Sequence, residues 1–83
     1  LQARERFRNR DRQGAIDDYT QVLRYQPNNA EANFTRGLIY SGMDNRQNAI
    51  ADLQRAAQLF REQGNENYYL IALEIIEDIQ TRE

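Results

Sequence analysis

The heptapeptide RQGAIDD, Arg12 to Asp18, returns as RQNAIAD, Arg46 to Asp52, with five of its seven positions identical at an offset of 34 residues. A fixed period of that length decides the architecture, because it marks a unit that buries its apolar face only by stacking on a neighbour. Each copy carries the same helical stripe. Ala15, Ile16, Tyr19, Val22 and Leu23 fall at i, i+1, i+4, i+7 and i+8, and Ala49, Ile50, Leu53, Ala56 and Ala57 repeat that spacing, extended by Phe60.

Working outward, Gln26, Pro27, Asn28 and Asn29 end the first striped helix, since proline donates nothing to the ladder and its predecessor leaves helical space. Gly42, Asp44 and Asn45 mark the next turn, and Gln63, Gly64 and Asn65 a third. The breaks predict five helices, at about 1 to 9, 12 to 26, 30 to 43, 46 to 62 and 66 to 82. No segment reads as a strand. Short connections between helices of this length make neighbours antiparallel, so the expected fold is all-α, a stack of helical hairpins.

Composition narrows the function classes. The 83 residues make one small domain that buries only roughly 60 to 65% of its unfolded surface. At 40% hydrophobic and 29% charged, the chain is too apolar for disorder and too polar for a membrane protein. Its longest apolar run, Tyr68 to Leu73, is far short of a span. Cysteine and histidine are both absent, which removes the thiol nucleophile, the commonest general base and the commonest metal ligands. No enzyme activity, cofactor or metal is therefore expected. Lysine is absent too, and all eleven cations are arginine, the residue suited to bidentate carboxylate or phosphate contacts. With no signal peptide the chain is expected in the cytoplasm, and its opening on Leu1 rather than Met reads as a piece of a longer protein.

The repeat resembles the tetratricopeptide family, whose 34-residue unit reads W-x2-L-G-x2-Y, then A-x3-F, then P. Gly37, Tyr40, Ala49 and Leu53 fill the small, aromatic, small and apolar places in one copy, and Ala15, Tyr19 and Pro27 match the second-helix signature of the other. Asn33 stands where tryptophan is usual, Arg36 where leucine is usual and Arg61 at the second proline. The resemblance implies a right-handed α-solenoid in which residues 1–29 are a partial first repeat, 30–63 a second, and 64–83 either a capping helix or the start of a third. A further offset of 34 drops Gly37 onto Ile71, which favours a cap.

What the resemblance implies about function is a non-catalytic adaptor or scaffold that binds a peptide or helix of a protein partner on its concave face. Carried onto this chain, that face holds Arg4, Phe7 and Arg8, then Glu31, Phe34, Thr35, Leu38 and Ser41, with Tyr68 and Tyr69 at the end. Phe34, Leu38 and Tyr68 either contact the partner or fill space between hairpins. The subset of the family that clamps a C-terminal carboxylate uses lysine, asparagine and arginine there; with no lysine and with Thr35 at one asparagine-like place, no such clamp is expected.

Two alternatives remain. In the last helix Tyr68, Tyr69, Ile71, Ala72, Leu73, Ile75, Ile76 and Ile79 cover an arc of roughly 200°, wider than one packed face needs, so the surplus is expected to meet a following repeat or domain, or a second copy of the chain. Opposite end charges, Arg4, Arg8 and Arg12 against Glu74, Glu77 and Asp78, could orient such a homo-oligomer but not hold it, since exposed pairs contribute only ~0 to 1 kcal/mol each. Nucleic-acid binding through the arginines at 4, 6, 8, 10 and 12 ranks last, against a pI near 5.1 and no known reading motif. Asp17 and Asp18 diverge by about 100° on a helix and so form no acid–base pair, and the Asn33-Phe34-Thr35 sequon lies inside a predicted helix.

Overall fold

A computed structural model describes the backbone of residues 2–82 and the side chains of residues 10–82. Four helices follow one another: α1 Gln2–Tyr25, α2 Ala30–Gly42, α3 Arg46–Glu62 and α4 Glu66–Thr81, with no strand among the described residues. Each packs on its sequence neighbours, α2 on α1 and α3, and α4 on α3. The extents of 43 × 33 × 18 Å leave room for two layers of helices of about 10 Å diameter. This is the hairpin stack that the 34-residue period predicts.

The last three helices match their predicted bounds because their turns carry the right chemistry. After α2 and α3 the chain steps through a left-handed residue, Asp44 at φ 59° and Gly64 at φ 75°, and then reaches an asparagine. In both turns the left-handed residue donates to the carbonyl three back (Asp44 to Ser41, Gly64 to Arg61). The following asparagine donates five back, Asn45 to Tyr40 at 2.9 Å and Asn65 to Phe60 at 2.8 Å. These paired bonds satisfy carbonyls that the helix ends would otherwise leave orphaned. Asn29, Asn45 and Asn65 then start the next helices, their side-chain oxygens accepting from the amides of Ala32, Asn48 and Tyr68.

The first helix departs from expectation. Five helices were predicted and four are present, because the segments at 1–9 and 12–26 are one continuous helix. The offset of 34 explains it: Arg10 and Arg8 stand where Asp44 and Gly42 stand in the other copy. Arginine gains nothing from the left-handed conformation that aspartate and glycine tolerate, and it is a strong helix former, so the helix runs on. Residues 2–9 therefore continue the axis of a second-helix element instead of folding back as a first-helix element.

Between α2 and α3 the crossing is close. A Cβ added at Gly37 would lie 2.9 Å from Leu53 Cγ and 3.2 Å from both Ala49 O and Asp52 Cβ, so only glycine fits this distance. Below it Ala49 and Leu53 pack with Ile76 and Ile79 of α4, while Ala30, Ala56, Leu59 and Phe60 form a second cluster nearer the start of α2. Phe34 packs against both clusters. Asn33 is buried, its side-chain amide donating to Asn29 O, which removes the sequon from solvent.

Arg36 binds three helices together. Its Nε and one terminal nitrogen each lie 2.7 Å from the two oxygens of Asp52 on α3, and the other donates to Thr20 Oγ1 on α1 at 3.0 Å. The hydrogen bonds to Asp52 raise the Arg36 pKa above its ordinary value against the opposing effect of burial, so the guanidinium stays charged. At the rim, Arg12 donates to Gly42 O, closing the C-terminal end of α2 onto α1.

Candidate functional site

The sequence spacing of Glu31, Phe34, Thr35 and Leu38 is i, i+3, i+4 and i+7, which puts all four on one side of α2. Three of them reach a shared recess. Glu31, Phe34 and Thr35 line it from α2, Phe60 from α3, and Asn65 and Tyr68 from the start of α4, around a volume of about 320 Å³. Leu38 lies one turn further along α2 and is exposed.

Three aromatic rings shape the wall. Phe60, only 3% exposed, stacks on Tyr68 with centroids 5.2 Å apart and planes at 27°. Phe34 meets both edge-on, at 5.9 Å from Phe60 and 6.1 Å from Tyr68. Edge-to-face and offset arrangements suit the ring quadrupoles and hold each ring in place. Tyr68 is 48% exposed, so an aromatic surface remains open to a ligand beside the Glu31 carboxylate.

The other predicted groove residues separate. Tyr69 turns about 100° from Tyr68 on the helix and lines a different recess of about 290 Å³ with Arg61, Gly64 and Glu66. There the Arg61 guanidinium sits 5.5 Å above the Tyr69 ring. Ser41 is half-buried near the end of α2. Arg4, Phe7 and Arg8, assigned to the concave face on the expectation of a leading hairpin, have side chains outside the described residues, and the fused α1 removes the hairpin that the assignment assumed. Phe60 and Asn65 were not singled out for this site from sequence. Phe60 reads as one more apolar residue of the α3 stripe, and only the turn at Gly64 reveals that it meets the next helix start.

Chemically the recess offers apolar surface, one carboxylate, a hydroxyl and an amide. Among the described residues no group of three or more acidic side chains is placed to hold a metal ion, and no buried side-chain donor or acceptor lacks a partner. Nor is any described helix long and apolar enough to cross a membrane. Such a surface is suited to non-covalent recognition.

Comparison with known proteins agrees with the period and the packing. The family profile of the tetratricopeptide repeat matches residues 30–63, the stretch that runs from the first residue of α2 through α3 and into the Gly64 turn. No curated protein and no solved structure matches the chain. With its signature glycine seated in the α2–α3 crossing, the stretch 30–63 is similar to a tetratricopeptide repeat in both sequence and packing.

Proposed function

We propose that the chain is a non-catalytic adaptor that binds a segment of a protein partner in the recess between the first turns of α2 and α4. Tetratricopeptide repeats act in protein–protein interaction, and the observation that carries the finer reading is the recess itself. Half-open aromatic surface from Tyr68 and Phe34 lies beside Glu31, Thr35 and Asn65. Apolar anchoring by rigid rings with a few polar groups at the margin is how short peptides gain affinity and register.

In this reading α4 closes the stack. Ile71 occupies the place that Gly37 holds in α2, and its side chain would keep a following helix from the approach that α3 makes. Selection of a random peptide display library on the immobilised chain tests the function. Enriched peptides are expected to lose binding to Tyr68→Ala and to keep it on Leu70→Ser, which changes an exposed residue away from the recess. Equal binding to both variants would refute the site.

A second reading has one observation in its favour: Leu70, Ile71 and Leu73 are all exposed on α4, a surface suited to a second copy of the chain. Sedimentation at high protein concentration discriminates, since a monomer at both low and high salt removes self-association.

A further inference from the structure

We propose that the recess of Glu31, Phe34 and Tyr68 takes the guanidinium of an arginine side chain from the bound segment. This assignment rests on the groove function given above and supplies the chemistry of its anchor residue.

Two arginine–ring contacts within the same chain show the pattern. Arg36 lies 5.9 Å over the Tyr40 ring while its fork grips Asp52. Arg61 lies 5.5 Å over Tyr69 in a recess that Glu66 also lines. The first joins an arginine, an aromatic ring and a carboxylate; the second pairs an arginine with a ring beside a carboxylate that lines the same recess. The recess at Glu31 has the ring surface and the carboxylate, at a similar volume, but no arginine lines it among the described residues. A planar, weakly hydrated guanidinium can lie on the open Tyr68 surface and direct its edge donors to Glu31, which the compact ammonium of lysine does less well.

Local electrostatics favour a cation. Glu31 is the one formally charged group among the described lining residues, and it makes no ion pair with them. The first-turn amides of α2 and α4, which could otherwise draw an anion, include Ala32 N and Tyr68 N, already bonded to the Asn29 and Asn65 side chains.

The test is an NMR titration of the full chain with acetylated, amidated pentapeptides carrying alanine at four positions and arginine, citrulline, leucine or glutamate at the centre. Citrulline keeps the shape of arginine and removes its charge. The arginine peptide is expected to shift the Phe34 and Tyr68 ring resonances saturably and to bind about five- to tenfold tighter than the citrulline peptide. Glu31→Gln should bring the two within about twofold, with the fold kept and the thermal midpoint lowered by only a few degrees, the loss of one exposed first-turn charge. Equal binding of the arginine and citrulline peptides to the unmodified chain, or tighter binding of the glutamate peptide, overturns the assignment. If leucine saturates those resonances and arginine does not, the arginine site falls while the groove stands; if no peptide moves them, both fall.

Discussion

Removing both partners of the Arg36–Asp52 pair should cost less than the sum of removing each alone. Both bonds are 2.7 Å, and the side chains are 20% and 9% exposed, so the pair is mostly but not wholly removed from water. A fully buried pair broken on one side costs about 3 to 5 kcal/mol, chiefly for the charge left behind. The residual exposure of Arg36 lets water reach it, so Asp52→Ala should cost about 2 kcal/mol, discounted for that screening. Arg36→Leu strands the less exposed carboxylate and also forfeits the bond to Thr20, so about 3 kcal/mol is expected. The double variant leaves neither charge unpaired and should lose only about 2 kcal/mol, a coupling of about 3 kcal/mol. Urea unfolding followed by far-ultraviolet circular dichroism measures all four chains, and the coupling should persist in high salt because the pair is shielded from counterions. Additivity within about 0.5 kcal/mol would show that the two side chains act independently and would refute the three-helix tie.

Other substitutions separate space from propensity. Gly37→Ala should destabilise by about 1 to 2 kcal/mol despite its better helix propensity, since its Cβ meets Leu53 and the Ala49 carbonyl, whereas Gly14→Ala, with nothing nearby, should stabilise by about 0.5 to 1 kcal/mol. Thermal midpoints moving in the same direction would contradict the close α2–α3 crossing. Asn65→Ala removes the side-chain acceptor for Tyr68 N and should cost about 1 kcal/mol, read by urea unfolding; a neutral change would mean that the cap is not formed in solution.

How much was legible depended on which level of the repeat carried the signal. The bounds of α2, α3 and α4 follow from the glycine, aspartate and asparagine turns, whose chemistry is local. The break expected near residue 10 failed for a local reason as well: the periodic match at Arg12 to Asp18 says where a second helix lies, but Arg8 and Arg10 lack what the preceding turn requires. Arg36 reads as a departure from a leucine position, yet it ties α2 to both α1 and α3, and its partners Thr20 and Asp52 are each sixteen residues away. No one-helix pattern contains that. Tyr68 and Tyr69 read together as groove residues, whereas helical geometry sends adjacent side chains about 100° apart and the structure places them in different recesses.

The recess belongs to α3 as much as to the helices that line its mouth. α2 and α4 each pack chiefly on α3, and the stack of Phe60 on Tyr68 fixes where the α4 ring stands relative to Phe34. Phe34 is held by the seating of α2 on α3, which Gly37 makes close and Arg36 makes specific by its paired bonds to Asp52. The distance from Phe34 to Tyr68 is thus a consequence of two crossings on one helix. A repeat that matches a family pattern mainly in its small residues can still hold a defined aromatic recess for this reason. Small residues set the helix separations, and the separations set how far apart the large residues at the rim must be.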